Sequence, residues 1–149
     1  MRWFEDIRVG DVVDVGPVTV TEEEIVEFAS RYDPQPFHLD PEAAAKTPYG
    51  GLIASGWHTA ALFMGMLVPA VMLDSAALGS PGIEELRWLA PVRPGDVLRG
   101  RSTVLDARPS ESNPNRGTVF TFGEVLNQDD VVVLTLKART FYARRPTAT

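Results

Sequence analysis

Residues 60–73 read AALFMGMLVPAVML, a run without a single charged side chain. Such a run either crosses a membrane or fills a core, and the fold depends on which. Crossing a bilayer takes about 20 consecutive apolar residues. This run is shorter and holds Gly65 and Pro69 within it, so it reads as a helix buried in a soluble core. Just upstream, LIASGWHT lets Ser55 or Gly56 open the helix with unpaired backbone N–H groups at its start, and Pro69 kinks or ends it.

A helix apolar on all sides needs cover on all sides, and the segments from about 83 to 143 supply it. EELRWLAPV, VLRGRSTVLDA, GTVFTFGEVLN and VVVLTLKARTFYA alternate or are rich in β-branched and aromatic residues, and turn-formers such as RPGD and NQDD separate them. ARPSESNPNRG, rich in Ser, Pro, Asn and Gly, reads as a mobile loop. Before the buried helix, VVDVGPVTV (residues 12–20) suggests an edge or bulged strand around Gly16 and Pro17. TEEEIVEFASRY then predicts a helix over about 21–31: Thr21 and Glu24 have capping-box spacing, and Ile25, Phe28, Ala29 and Tyr32 form one apolar stripe. Strand, helix, buried helix and four antiparallel strands predict an α+β fold in which one sheet wraps a central helix, with residues 1–149 as a single domain.

Composition narrows the functions. At 44% apolar and 23% charged, the chain is built like an ordinary globular domain rather than a disordered one. A net charge of −6 argues against nucleic acid and anionic membrane surfaces as partners. Arg87, Arg93, Arg99 and Arg101 fall close together, which raises a local anion site, although a solvated strand face explains them better. Without cysteine there is no disulfide, thiolate nucleophile or zinc–thiolate site. The opening MRWFEDIRVGD is charged and lacks the apolar stretch of a signal peptide, so a cytoplasmic location is expected.

Chemistry concentrates in RYDPQPFHLD, residues 31–40. Pro34 and Pro36 both disfavour helix at the residue before them, so DPQPFH reads as extended and stiff. Fully extended, it would separate Asp33 from His38 by about 15 Å, at ~3.1 Å per residue, and the two share a site only if the chain bends. Asp40 and Pro41 then cap and open a short helix through EAAAK. A metal held by Asp33, His38 and Asp40 lacks a second imidazole, and nothing in the spacing of Ser55 and His58 supports a catalytic triad. His58 is better read as a core histidine, and Trp57, Phe63, Met64 and Met66 as packing that also shapes an acyl pocket.

YDPQPFHLDPEAA, GGLIASGWHTAAL and LRWLAPVRPGDVL together resemble the MaoC-like dehydratases, which include the (R)-specific enoyl-CoA hydratases; the resemblance runs from about residue 4 to 142. It implies the hot-dog fold, a curled antiparallel sheet around one long helix, assembled as a homodimer or a dimer of dimers. The family's hydratase motif of Asp, any residue, Asn, Pro, an apolar residue and His falls on Asp33, Pro34, Gln35, Pro36, Phe37 and His38, with Gln35 in place of Asn. The resemblance further implies an overhanging segment that bends to bring Asp33 and His38 to one water, and the Gly56 N–H pointing at a thioester oxygen.

On this reading Asp33 is the base, His38 its acid–base partner and Gly56 the oxyanion donor. Gln35, Ser55 and Trp57 would line the substrate site, and Arg87 and Arg93 are candidates for the CoA phosphates. The activity implied is hydration or dehydration of an acyl-CoA, with no metal and no cofactor beyond the CoA thioester itself. Two rivals remain: a hot-dog acyl-CoA thioesterase, and a non-catalytic acyl-thioester-binding protein in which Gln35 marks a drifted site.

Overall fold

The computed structural model describes residues 1–148. Its centre is the helix α4, Gly56–Leu67, and its frame is one antiparallel sheet. The sheet strands are β1 (Val12–Thr19), β2 (Ala77–Gly79), β3 (Ile83–Trp88), β4 (Val97–Pro109), β5 (Arg116–Leu126) and β6 (Val132–Ala143). They run in the order β1-β4-β5-β6-β2, and β3 continues the β2 edge by pairing further along β6. Ahead of α4 come α1 (Glu22–Tyr32), α2 (Pro36–Leu39) and α3 (Pro41–Ala45). This is the α+β hot-dog arrangement, a sheet curled round one helix. Among the described residues no helix is long and apolar enough to cross a membrane.

The seat of α4 is cut into the sheet by two glycines. Gly100 on β4 and Gly123 on β5 face inward in adjacent register, Gly100 opposite Val125 and Ser102 opposite Gly123. A side-chain carbon added at Gly100 would lie 2.7 Å from the Phe63 ring, and one at Gly123 2.5 Å from it. Strand glycine of this kind marks a close approach, here of an aromatic ring to the backbone. Phe63 is 1% exposed, and the fully buried Leu98, Val125 and Leu134 of the sheet and Ile25 of α1 belong to the same core.

The first helix follows its sequence signals closely. The Thr21 hydroxyl accepts the Glu24 N–H at 3.2 Å, Ile25 and Ala29 are buried, and Asp33 closes the last turn by donating its N–H to the Ala29 carbonyl at 2.9 Å. Strand β1 lies at the sheet edge with a register shift between Val15 and Val18, around the predicted Gly16–Pro17 irregularity.

The structure differs from the sequence expectation in two places and refines it in two more. DPQPFH is not extended throughout: Pro36 opens the one-turn helix α2, because a proline N1 lacks only an N–H that the first turn leaves unpaired anyway. As expected of Pro69, the α-helix goes no further than Leu67, and the proline falls inside a π-helical turn, Val68–Met72, that follows α4. The short β2 escaped notice, since three residues are too few to show a period. The Ser- and Pro-rich segment holds the expected connection at 110–115, while its two ends belong to β4 and β5, with Pro109 paired to Gly117.

Removing the ring that fills the glycine hollow should be costly. Phe63→Ala is expected to lower stability by about 3–5 kcal/mol, and Gly123→Ala to destabilise by overpacking against the same ring, both measured by urea unfolding.

Candidate active site

The turn of α2 does what an extended chain cannot. It swings His38 back beneath Asp33, so that His38 Nε2 lies 3.2 Å from Asp33 Oδ2. Both residues are withdrawn from water, His38 to 5% exposure. The imidazole is fixed from its other side, where Nδ1 lies 2.7 Å from the Ile53 carbonyl oxygen. A carbonyl only accepts, so Nδ1 carries a proton and Nε2 is the nitrogen that faces the carboxylate. The strand-like segment 52–54 is itself held in place, with Ile53 N donating to Phe37 O at 3.2 Å and Ala54 N to Val92 O at 2.8 Å.

Two neutral donors complete the surroundings of Asp33. Gln35 Nε2 donates to Oδ1 at 2.7 Å, and the Ser55 hydroxyl donates to Oδ2 at 2.7 Å. Donors that bond the ionised form favour it. The Gln35 amide is the largest influence holding the Asp33 carboxyl below the usual carboxylate range; partial burial pulls the other way, and Ser55 and the His38 charge lower it further.

Ser55 is the N-cap residue of α4, yet its side chain makes no capping bond. Its carbonyl accepts from His58 N and Thr59 N at 3.0 and 3.2 Å, while its hydroxyl is turned to Asp33. The leading N–H of the helix, that of Gly56, is therefore left uncapped by it. Gly56 packs against the Trp88 indole so closely that any side chain there would overlap the ring, and Trp88 in turn meets Trp57 edge to face at 5.2 Å between centroids.

Asp33, Gln35, His38, Gly56 and Trp57 all line one pocket of about 430 Å³. That is within the range of small-molecule sites. Trp88 and Tyr49 line it as well, and the sequence reading missed both. Alternation along β3 places Leu86 and Trp88 on one face, which was a usable signal for Trp88; Tyr49, in the TPYGG connection, offered none.

Other candidates lie elsewhere. Arg93 donates its side chain to the Tyr49 carbonyl at 2.6 Å, bracing the loop, and Arg87 pairs with Glu85 at 3.1 Å; neither lines the pocket. Arg99 and Arg101, side by side on the outer face of β4, pair with Asp130 and Asp14, and neither lines the pocket. Phe63 and Met66 belong to the core packing, leaving Trp57 as the pocket-lining member of that group. With its hydroxyl committed to Asp33, Ser55 is not part of a triad with His58.

A curled sheet around one helix defines a hot-dog protein, here with an Asp–His pair beside the helix start. Residues 6–121 match the MaoC like domain, and the chain belongs to that family. The solved MaoC-like dehydratase from Rhodospirillum rubrum is 44% identical and superposes with a TM-score of 0.90, covering 97% of this chain and 99% of that one. R-Hydratase PhaJ1 from Pseudomonas aeruginosa is 26% identical with a TM-score of 0.76, covering 99% and 92%. Among curated proteins, 3-hydroxyacyl-thioester dehydratase Z of Mycobacterium tuberculosis is 34% identical over 84% of this chain and 88% of its own length. Two other curated relatives are longer, and the match spans only 30% and 43% of them. The hydratase and dehydratase names among these relatives support a hydro-lyase activity for this chain.

The second histidine faces away from the pocket. His58 is 5% exposed, stacks on Phe28 at 4.9 Å with an 11° interplanar angle, and its Nδ1 has no hydrogen-bond partner among the described residues. Burial pushes its pKa below the ordinary 6.5, with the Glu24 charge opposing. The unfolded chain therefore binds the proton first as pH falls. Stability should drop as pH is lowered from about 6.5 towards the folded value and be level above it, and His58→Leu should flatten that slope in thermal melts across pH.

Proposed function

We propose that this protein adds water to the double bond of an enoyl thioester, or removes it in reverse, with Asp33 as base, His38 as acid and the Gly56 N–H as oxyanion donor. The observation that carries the reading is the Asp33–His38 contact at 3.2 Å, with His38 Nδ1 anchored at 2.7 Å on Ile53. Asp33 takes a proton from water as the water oxygen bonds to the β carbon. The double-bond electrons move toward the thioester oxygen, where a preorganised N–H stabilises the developing enolate. His38 Nε2 gives its proton to the α carbon, and the proton on Asp33 then passes to His38 across their contact, restoring both groups. Acid–base assistance of this kind is worth roughly 10²- to 10⁴-fold.

The substrate assigned is an acyl-CoA, with the (R)-3-hydroxyacyl thioester as hydration product. Support comes from the names of the relatives, R-hydratase and 3-hydroxyacyl-thioester dehydratase. A second copy of the chain belongs to the reading. Among the described residues the outer edge of β3 has no strand neighbour, and Ile83, Trp88, Leu89 and Trp57 stand exposed along it and around the pocket mouth. Unpaired edges beside apolar patches are where copies of a chain associate.

Crotonyl-CoA followed by ultraviolet absorbance, with free thiol monitored in the same cuvette, tests the chemistry. The enoyl band should fall without thiol release, and chiral analysis should return the R product; thiol release would instead make the protein a thioesterase. Asp33→Asn should lower kcat by about 10²-fold or more with the fold retained. Gly56→Ala, forced against Trp88, should lose activity by displacing the helix start, read as a fall in kcat.

A further inference from the structure

Gln35 is exposed, on a loop, and stands where the related motif carries asparagine. Its side chain is nonetheless engaged with the reacting carboxylate, bonding Asp33 Oδ1 at 2.7 Å. Its backbone touches both members of the pair: Gln35 N donates to the Asp33 carbonyl at 2.8 Å, and the Gln35 carbonyl accepts from His38 N at 3.0 Å. The other carboxylate oxygen, Oδ2, is already shared by the Ser55 hydroxyl and His38 Nε2. A carboxylate held at Oδ2 alone is free to swing about its Cβ–Cγ bond. The bond to Oδ1 removes that freedom and leaves a defined lone-pair direction open at Oδ1 for a water.

We propose that Gln35 is a positioning residue for the acid–base pair, whose side-chain amide fixes the plane of the Asp33 carboxylate and keeps the pair's proton on His38. The inference rests on the proposed assignment of base and acid and adds what orients them. The amide NH2 group can only donate, so it bonds the ionised carboxylate well and a proton on Oδ1 badly. It therefore biases the shared proton toward His38 Nε2, the position from which the α carbon is protonated. The same bond is the largest cause of the lowered Asp33 pKa. An asparagine would place its amide up to about 1.5 Å, one carbon–carbon bond, further from Oδ1. In this chain, then, the longer amide is a device for clamping the base. Because the side chain is exposed, it contributes little packing, and its removal should act on the pair rather than on the fold.

The test titrates the Asp33 carboxyl carbon by NMR in the whole protein, its resonance identified by its loss in Asp33→Asn, alongside the pH profile of kcat/KM for crotonyl-CoA. In Gln35→Ala, Asp33 should titrate at higher pH than in the wild type. Since a base works only when ionised, the acid limb of kcat/KM should move up with it, while the thermal midpoint at neutral pH stays near that of the wild type. Gln35→Asn should restore part of the shift, and Gln35→Glu, which replaces a donor with a like charge, should exceed that of alanine. An unchanged Asp33 titration in both Gln35→Ala and Gln35→Glu overturns the proposal, as does an activity loss equal at every pH. If the titration shifts as expected but crotonyl-CoA and longer enoyl-CoAs are not hydrated, the positioning role stands and the proposed reaction falls.

Discussion

The burial of one ring governs the placement of the site. Phe63 is received by the hollow that Gly100 and Gly123 leave in the sheet, and this fixes both the depth and the rotation of α4. Rotation matters because α4 presents different residues to different neighbours within its first turn. Gly56 and Trp57 face the pocket, while His58 stacks on Phe28 of α1. A helix shifted by one residue would turn about 100° and carry Gly56 away from Asp33. The tight packing of a protein interior leaves no continuous range of such positions, so core and site are set together.

The site places an ionised carboxylate in a partly apolar pocket without a lysine or arginine among its hydrogen-bond donors. Gln35 and Ser55, both neutral, and the His38 ring serve instead. A full guanidinium would stabilise the carboxylate further but would also weaken it as a base. Neutral donors orient the group and favour ionisation more gently, and the one partner able to carry charge, His38, is also the one proposed to exchange a proton with it. Arg93, the nearby cation that might have intruded, is occupied by the Tyr49 carbonyl. The polar interactions thus divide labour: arginines brace loops and strand faces, and neutral groups attend the reacting carboxylate.

Much of this was legible in the sequence. The charge-free run at 60–73 identifies the buried helix, alternation from 83 onward identifies the strands, and Thr21–Glu24 identifies the start of α1. Those features are local, and local patterns report local structure. Asp33, His38 and Gly56 were legible only through the motif, because their meeting depends on the turn of α2, and prolines alone suggested an extended path. Trp88 and Tyr49 come to the pocket from β3 and from a loop, distances in sequence over which no period operates. The arginines were the converse case: Arg99 and Arg101 share the outer face of β4, but each of the four has its own partner, Glu85, Asp130 and Asp14 for Arg87, Arg99 and Arg101 and the Tyr49 carbonyl for Arg93.

Ser55 joins the two halves of the chemistry. An N-cap serine ordinarily bonds its own helix, and giving up that bond costs about 1 kcal/mol. Here the hydroxyl goes to Asp33 Oδ2, so the helix start keeps its unpaired N–H groups and the carboxylate gains a donor. The same serine, fully buried at 0% exposure, ties the position of Asp33, the proposed base, to that of Gly56, the proposed oxyanion donor one residue later. Asp33 and Gly56 are therefore linked through one side chain and one peptide unit, a geometry that movement of the exposed loop around Gln35 cannot alter without breaking the part-buried Ser55–Asp33 hydrogen bond.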